Sequence, residues 1–416
     1  MPDRPTEPPA EATGRWRLLA VLATIHLLAF APWFSASAVA PLLADEWRLG
    51  RLDLPLLTIA VQFGFAAGAL VLAALGAADV VPARYLIALG AFAAAAANLG
   101  FALFARDTAT AITFRALTGA ALAAVYPVAM KVLAGWFRRE RGAAIGVLIA
   151  SLTVGSALPY LFRALGSLAG ADWRAIVLAA SFAAVAGGAV ALVAVRRGPF
   201  EVAAPRFSLS IARRAFGSPS VRLANLGYLG HMWELYAMWT WVPAFLVASF
   251  AAGGMTSPSA ASLGAFVVVA AGAVGCVGAG FAADRLGRTA ITMGAMACSG
   301  ASAVAIGFLF GAPPALTLAL AIFWGVTVVA DSAQFSTAVS ELAPSGTAGS
   351  ALALQTATGF VLTGATILGI GALAPTDAAG WQLAFALLAV GPAVGIVAMG
   401  RLRGRADATL MASGRR

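Results

Sequence analysis

The stretch GHMWELYAM, residues 230–238, places an imidazole and a carboxyl group inside an apolar segment that covers residues 223–250. His231 and Glu234 are three residues apart, so their side chains can touch on one face of a helix. A carboxyl group beside a group that titrates near neutrality can take up and release protons. We therefore predict that Glu234 exchanges a proton, assisted by His231. The alternative is a structural hydrogen bond from Glu234 to another helix.

Asp331 is a second acid inside an apolar run, in the stretch VVADSAQF. A charge at the centre of a bilayer costs at least about 2.5–3.5 kcal/mol, so such residues usually face the protein interior, form pairs or carry protons. Asp331 is predicted to be a second proton-coupling acid, with a solute contact or an inter-helix pair as alternatives.

Other polar and soft side chains inside apolar runs are candidate solute contacts. Arg115 and Tyr126 fall within about 20° of one another on a continuous helix, whereas Lys131 falls on the other side. Arg115 has a packing role as its alternative, and Lys131 is expected to extend toward the membrane surface. The predicted solute contacts are His26, Trp33, Gln62, Arg115, Tyr126, Met238 and Gln355.

The composition is that of a membrane protein. Hydrophobic residues make up 61% of the chain and charged residues 11%, against about 25% charged in soluble domains. The net charge of +10 is spread over several loops, which does not favour a nucleic-acid partner. Cys276 and Cys298 offer neither a disulfide framework nor zinc-ligand spacing, so no metal site and no cofactor is predicted.

Twelve apolar runs are long enough to cross a bilayer as helices. They cover roughly residues 18–41, 54–78, 84–105, 108–134, 142–162, 174–195, 222–250, 259–283, 289–311, 315–338, 349–372 and 380–400. The predicted fold class is therefore all-α and transmembrane.

The basic residues predict the orientation of these helices. With the N-terminus in the cytoplasm, twenty basic residues lie on the cytoplasmic side and five on the other, so both termini are expected to be cytoplasmic. The polar stretch between the sixth and seventh spans divides the chain. The predicted units are a disordered tail (1–17), an N-terminal bundle (18–195), a linker (196–221), a C-terminal bundle (222–400) and a second tail (401–416).

An internal repeat relates the two bundles. An offset of 205 residues superposes polar residues of the two halves: Arg17 on Arg222, His26 on His231 and Asp79 on Asp284. Three matches at one offset indicate two homologous halves. The prediction is two pseudo-symmetric six-helix bundles with a binding site between them at mid-depth.

The loop between the eighth and ninth spans reads GFAADRLGR, which resembles the G-x-x-x-D-R-x-G-R motif of the major facilitator superfamily. The first-half copy, LGAADVVPAR, lacks the leading glycine and the first arginine of the motif. The resemblance implies a cytoplasmic gate built from these loops. Its predicted residues are Asp79, Arg84, Gly280, Asp284, Arg285, Gly287 and Arg288.

The resemblance also implies a central cavity lined by spans 1, 4, 7 and 10, which would put Glu234 in a hydrated site. RALTG, residues 115–119, is similar to the family's R-x-x-x-G motif, whose arginine takes part in proton coupling or helix packing. The fifth span lacks the G-x-x-x-G-P-x-x-G signature of drug antiporters. Spans 2 and 8 lack the arginines by which the similar nitrate porters hold their anion.

These features predict a secondary transporter that moves a small solute by alternating access, in a bacterial inner membrane. Proton-coupled symport of a small organic anion is favoured, with Arg115, His26 and His231 as candidate cations. A proton-coupled drug or metabolite exporter is the alternative, and a copper importer a minor one. The predicted partners are the solute, protons and lipid. No ATP-binding P-loop or catalytic grouping is found, so no enzyme activity is predicted, and the chain is expected to be a monomer.

Overall fold

A computed structural model describes residues 12–50, 52–138, 140–200, 207–373 and 375–416, except the side chain of Asp45. Residues 1–11 of the predicted tail and 201–206 of the predicted linker lie outside these ranges. The described residues form helices and no β-strand, which confirms the all-α fold class.

The described residues of the N-terminal half form nine helices. They are α1 Arg15–Ala29, α2 Ser35–Trp47, α3 Asp53–Leu75, α4 Ala77–Val80, α5 Ala83–Phe104, α6 Thr108–Leu122, α7 Tyr126–Ala134, α8 Arg141–Leu168 and α9 Trp173–Ala194. In the described part of the predicted linker lies α10, Leu209–Phe216.

The C-terminal half follows the same plan. Its helices are α11 Pro219–Ala252, α12 Pro258–Leu286, α13 Arg288–Ile306, α14 Pro314–Val328, α15 Ser332–Leu342, α16 Ala348–Leu373, α17 Ala378–Leu388 and α18 Val390–Arg403. Short 3₁₀ segments occupy Gly307–Leu309 and Ala406–Gly414.

Several predicted spans are broken helices. Eleven segments of the described chain are long and apolar enough to cross a membrane, while the predicted span 18–41 is divided at residues 30–34. Pro32 lies in this break and has no N–H to donate to a helix. Spans 4 and 10 break at residues 123–125 and 329–331. At membrane depth, the free backbone N–H and C=O groups of such a break need hydrogen-bond partners in the protein or a water-filled cavity beside them.

Helix ends are fixed by polar side chains that satisfy free backbone N–H groups. Asp107 Oδ1 accepts from the N–H of Thr110 at 2.8 Å, and the Thr110 hydroxyl completes a capping box at the start of α6. Ser218 caps α11 and is followed by Pro219 at the first helical position. These caps define where the apolar runs begin.

The two halves meet along two pairs of helices, α8 with α12 and α3 with α16. Small residues allow close approach in the first pair, since a Cβ added to Gly146 would lie 2.8 Å from the carbonyl oxygen of Cys276. Large apolar side chains such as Val193, Leu168 and Phe182 are exposed on the outer surface, as expected for contact with lipid.

Two sides of the bundle can now be defined. The linker side carries the ends of α9 and α11 that residues 195–218 join, and the far side is the opposite one. The distribution of basic residues predicts that the linker side faces the cytoplasm.

Candidate functional site

A cavity of about 90 Å³ lies between the two halves, beside the broken spans. It is lined by Phe30, Trp33, Phe65, Tyr126, Ile149, Leu152, Thr153, Tyr228, Met232, Leu235, Tyr236, Trp239, Val329, Ser332, Ser336, Thr356 and Phe360. Both halves contribute, so we call it the central cavity. Among the described residues, none of those that line it is acidic or basic.

Aromatic rings from both halves pack around Trp33, which lies in the break between α1 and α2. Its ring centre is 5.2 Å from that of Phe65, 5.7 Å from Phe360 and 6.0 Å from Tyr236. These separations are typical of favourable aromatic pairs. The rings therefore join the N-terminal half to the C-terminal half at the cavity wall.

Two indole groups at the cavity have no hydrogen-bond acceptor. Nε1 of Trp33 and Nε1 of Trp239 are buried without a partner among the described residues. Buried indole N–H groups usually find an acceptor. Both indoles belong to residues of the cavity wall, so two buried donors without an acceptor in the described chain lie in that wall.

Arg115 supports the backbone of the break at residues 30–34 and does not line the central cavity. Its Nη1 donates to the carbonyl oxygen of Pro32 at 2.9 Å, and its Nη2 donates to that of Trp33. Nη1 also contacts Ser35 Oγ and Asn98 Oδ1. The guanidinium thus satisfies carbonyl groups that the break releases from helical hydrogen bonding.

In the described chain, the contact between a guanidinium group and the carbonyl groups of a helix break is found in the N-terminal half and not at the equivalent place in the C-terminal half. The offset of 205 residues places Leu320 at the position equivalent to Arg115, and α11 continues unbroken past the residues equivalent to 30–34. A leucine cannot serve as a donor to free carbonyl groups. The guanidinium and the helix break therefore occur together in the N-terminal half.

Tyr126 and Trp33 line the central cavity, but the other predicted solute contacts lie behind its wall. Gln62 accepts a hydrogen bond from the Thr363 hydroxyl and so joins α3 to α16. Gln355 is buried, and neither its amide oxygen nor its nitrogen has a partner among the described residues. Met238 is fully buried in the apolar core.

His26 also lies close to the cavity wall without lining it. Its Nδ1 is 2.8 Å from the carbonyl oxygen of Leu22, and its ring stacks on Phe30. Its Nε2 is buried with no partner in the part of the chain that the structure describes. The Tyr126 ring lies nearly perpendicular to the His26 ring, with 6.1 Å between ring centres.

His231 and Asp331 form a buried pair at the break between α14 and α15. His231 Nδ1 lies 2.8 Å from Asp331 Oδ1, and the two side chains are 1% and 3% exposed. The distance is that of an ion pair, although the alignment does not meet hydrogen-bond geometry. Met232 and Ser332, their neighbours in sequence, line the cavity. This brings two of the three predicted proton-coupling residues together beside the cavity.

The repeat places a different pair at the equivalent position of the N-terminal half. The offset of 205 residues matches His231 with His26 and Asp331 with Tyr126. Each half therefore has a histidine next to a residue at the helix break, but only the C-terminal half has an acid there. The two halves therefore differ at this position in the group that could exchange a proton, which is a carboxyl group in Asp331 and a phenol in Tyr126.

Glu234 lies inside the C-terminal half, away from the central cavity. Trp324 Nε1 donates to its Oε1 at 2.7 Å, and Ser299 Oγ donates to its Oε2 at 2.8 Å. These partners belong to α14 and α13, and Glu234 is not among the residues that line the cavity. The predicted role in proton exchange stays a prediction, and the contacts favour the structural alternative.

At the end of the GFAADRLGR loop, Arg288 joins two helices of the C-terminal half on the linker side. Its Nε and Nη2 donate to the two carboxylate oxygens of Glu341, each at 2.7 Å, and its Nη1 donates to Gln334 at 2.9 Å. Asp284 Oδ1 is 3.7 Å from Nη1. The planar guanidinium and the carboxylate thus form a bidentate pair that ties α13 to α15.

Asp284 also reaches across to the other half. A Cβ added to Gly142 would lie 3.0 Å from both of its carboxylate oxygens, so the acid packs on the first turn of α8. The partial positive charge of a helix N-terminus favours an anion there. Gly280 packs against the Gly142 carbonyl, and Gly287 adopts φ 93°, whereas Arg285 is exposed.

The first-half loop is held differently, as its altered motif suggests. Asp79 Oδ1 accepts from Lys131 Nζ at 2.7 Å, which also reaches the Ala78 carbonyl. Arg84 is exposed and donates to the hydroxyl of Tyr85 at 2.8 Å. Lys131 therefore reaches the end of the bundle, as expected, where it meets an acid.

The predicted C-terminal tail packs on α13 and α15 beside the Arg288–Glu341 pair. Ala408, Met411 and Ala412 are buried, and the Ala412 N–H donates to Glu341 at 3.3 Å. The Thr289 hydroxyl donates to the carbonyl oxygen of Arg416 at 3.0 Å. Nothing in the polar sequence of this segment predicted its burial.

Sequence reasoning missed several residues that the structure brings together. Tyr228, Tyr236, Trp239 and Phe360 line the cavity, while Trp324 and Ser299 hold Glu234. For Trp239 a signal existed, because the offset of 205 residues places it on Phe34, whose ring packs against it at 6.0 Å. For Trp324 and Ser299 no spacing rule links them to Glu234.

The soft side chains of the copper alternative are scattered. Met238 is in the core, Met296 packs where a Cβ on Gly395 would be, and Cys298 is exposed. Within the described ranges, no group of three or more His, Cys, Asp or Glu side chains is arranged to hold a metal ion. This geometry does not support copper as the solute.

Comparison with solved structures gives the same fold. A bacterial homologue of the human lysosomal transporter Spinster, in an inward-facing and unoccupied conformation, is 16% identical (TM-score 0.65; 94% of this chain and 97% of that chain covered). The nucleoside transporter NupG is 13% identical (TM-score 0.69; 92% and 99%). The proton:xylose symporter XylE, bound to 6-bromo-6-deoxy-D-glucose, is 14% identical (TM-score 0.73; 94% and 96%).

Comparison with curated protein sequences gives no match. The profile of the Major Facilitator Superfamily, in contrast, matches residues 22–366, which is most of the chain. With its apolar spans, two similar halves and central cavity, this multi-pass membrane protein belongs to the Major Facilitator Superfamily and has the fold of its secondary transporters.

Proposed function

We propose that this protein is a proton-coupled secondary transporter that binds its solute in the central cavity. The two halves would alternate in exposing that cavity to the two sides of a bacterial inner membrane, with both termini in the cytoplasm. The protein would act as a monomer, since each chain holds both halves of the cavity. No enzyme activity is included in the proposal.

One observation carries the coupling mechanism. The His231–Asp331 pair is almost completely buried, yet it lies at a helix break whose next residue, Ser332, lines the cavity. A solute that displaces the segment around Ser332 would therefore move the acid relative to the imidazole. Their separation would change the energy of holding a proton, which links proton binding to solute binding.

The sequence favours symport over antiport, and the cavity wall favours one class of solute over another. Symport is favoured because the antiporter signature is missing from the fifth span. The small organic anion favoured by the sequence would need a cation, but Arg115 is engaged with backbone carbonyl groups and His231 faces Asp331. The wall therefore supports a neutral solute better than an anion.

Export of apolar or cationic compounds is the second candidate. It is favoured by the number of aromatic side chains in the cavity wall, because aromatic faces attract both apolar groups and cations. The experiment below includes a cationic dye for this reason.

Purified protein in proteoliposomes loaded with a pH-sensitive dye tests the proposal. The probes are thymine, benzoate, xylose and ethidium, each added under an imposed pH gradient. We expect at least one probe to move protons with the wild type and not with Asp331→Asn. Asp377→Asn, which changes an acid in the far-side cap of α17, serves as the matched control. Proton movement that is equal in Asp331→Asn and the wild type, or absent with every probe, would reject the proposal.

A further inference from the structure

We propose that the solute is a neutral, monocyclic aromatic or heteroaromatic molecule with at least two hydrogen-bond acceptor atoms. The inference rests on the proposed function, since it takes the central cavity to be the solute site.

The lack of charged side chains in the described part of the wall disfavours an ionic solute. None of the described residues that line the cavity is acidic or basic, and Asp331, behind the wall, already faces His231. Moving an ion from water into such a site costs several kcal/mol on the scale of real proteins, unless a partner of opposite charge is supplied. A neutral molecule avoids this cost.

The unpaired donors of the wall define the polar atoms of the solute. Trp33 Nε1 and Trp239 Nε1 are buried without a partner among the described residues, and an indole N–H can only donate. Both rings pack against Tyr236, at 6.0 and 5.5 Å between ring centres. When the two rings turn their N–H groups toward the cavity, two acceptor atoms on one small molecule, such as carbonyl oxygens or ring nitrogens, would satisfy both donors.

The remaining polar groups of the wall are hydroxyls, which can donate or accept. They belong to Tyr126, Thr153, Tyr228, Tyr236, Ser332, Ser336 and Thr356. They occur in both halves and can adapt to further donors or acceptors of the solute. The two indoles have no such freedom, so they are the groups that select for acceptors.

The shape of the cavity favours a flat ring. Eight of its residues are aromatic, namely Phe30, Trp33, Phe65, Tyr126, Tyr228, Tyr236, Trp239 and Phe360. Aromatic faces bind planar rings by offset or edge-to-face packing. At about 90 Å³ the cavity is smaller than the ~150 Å³ apolar cavity that admits benzene in another protein. The cavity must therefore widen to admit even a single ring, and this requirement disfavours any larger ring system.

Calorimetric binding to the full-length protein in lipid nanodiscs tests the substrate class. Thymine is the probe, because it is neutral, has one ring and carries two carbonyl acceptors. Benzoate has a ring and a charge, and xylose is neutral without an aromatic ring. We expect thymine to bind and the other two to bind at least tenfold more weakly.

Two variants test the indole donors directly. Trp33→Phe and Trp239→Phe keep an aromatic ring and remove the N–H, and each is expected to weaken thymine binding three- to tenfold. Trp381→Phe is the matched control, since its Nε1 is also buried and unpaired but its ring packs on Phe245 and Phe385, away from the cavity. Its thymine affinity should be unchanged, and thermal unfolding verifies that all three variants are folded.

The outcomes separate this inference from the proposed function. If benzoate or xylose binds more tightly than thymine and drives proton movement, the substrate class is wrong while coupled transport stands. If thymine affinity does not change in either cavity variant, or changes equally in Trp381→Phe, the role of the indole donors is rejected. Failure of thymine to bind also rejects the class.

Discussion

A guanidinium buried in a bilayer must find acceptors, and Arg115 finds them in the break between α1 and α2. Its two terminal nitrogens contact the carbonyl groups of Pro32 and Trp33 together with Ser35 and Asn98. The residue that the sequence placed in a solute site therefore positions Trp33, which does line the cavity.

Arg115→Lys is expected to lower the free energy of unfolding by about 3 kcal/mol. The ammonium group of lysine cannot donate to all the acceptors that the planar guanidinium group of Arg115 reaches together. The measurement is thermal unfolding in detergent. Arg84→Lys, at an exposed arginine of the same half, should change the unfolding temperature little. Equal stability of the two variants would show that Arg115 does not support the break.

For Glu234, the sequence favours proton exchange, whereas its hydrogen bonds to Trp324 and Ser299 favour a structural role. Glu234→Gln retains an oxygen that can accept from Trp324, so we expect transport within about twofold of the wild type. Glu234→Leu leaves the Trp324 N–H buried without an acceptor, at a cost of about 1–3 kcal/mol. The measurements are pH-driven uptake and thermal unfolding. Loss of proton-driven uptake in Glu234→Gln would restore Glu234 as a proton carrier.

The limits of sequence reasoning are visible at these same residues. Arg115 and Tyr126 were placed on one face by assuming a continuous helix, but the break at residues 123–125 changes the rotation between them. A lone acid in an apolar run is easily found, whereas its partners Trp324 and Ser299 lie 90 and 65 residues away. Spacing predicts neighbours on one helix and says nothing about contacts between helices.

At the scale of helices, α8 and α12 close the linker side between the two halves, because Asp284 near the end of α12 packs on Gly142 at the start of α8. Gly146 and Gly280 allow backbone approach, and Cys276 is 2% exposed between them. The tight interface makes Cys276 a reporter of closure.

Gly146→Leu is expected to separate α8 from α12 and to increase alkylation of Cys276 by N-ethylmaleimide several-fold. Gly278→Leu on α12 is the matched control, because a side chain added there meets nothing within 4 Å. Both are made in a Cys298→Ser background to remove the exposed thiol. Labelling that does not differ between the two variants would mean that these glycines do not determine closure.

The far side has a clamp that responds to pH. Glu46, beyond the apolar stretch Ser35–Ala44, accepts from Arg174 at 2.8 Å and from Trp173 at 2.6 Å. The hydrogen bond from Arg174, followed by that from Trp173, lowers the pKa of Glu46. A lowered folded-state pKa means that this stability is present above the ordinary glutamate pKa of about 4.3 and is lost as the pH falls through the folded value.

Glu46→Gln is therefore expected to lower the unfolding temperature at pH 7 and to have a smaller effect below pH ~4. Arg174→Met, which removes the first partner of Glu46, should show the same dependence on pH. A pH-independent effect of Glu46→Gln would contradict an electrostatic clamp.

For the whole molecule, the sequence was sufficient to predict the fold class and the family. Hydropathy, the 205-residue repeat and the GFAADRLGR loop pointed to two six-helix halves, and the fold class and the family are confirmed. The helix breaks were not predictable from hydropathy, because an interrupted helix has the same apolar composition as a continuous one. Those breaks decide which side chains reach the cavity.

In the proposed mechanism of the whole molecule, each half contributes a different part. The N-terminal half provides the break that Arg115 supports, with Trp33 on the cavity wall. The C-terminal half provides Trp239 and the His231–Asp331 pair. A neutral solute between the halves and a proton in one of them would then determine which side opens.

The most direct measurement compares two fluxes of radiolabelled thymine in proteoliposomes that contain the Asp331→Asn variant. One is accumulation driven by a pH gradient, and the other is exchange against unlabelled thymine with no gradient. If the cavity binds the solute and Asp331 provides the proton coupling, accumulation is lost at least tenfold while exchange stays within about threefold of the wild type. Accumulation that survives the substitution, or exchange that is lost to the same extent, would contradict this division of roles.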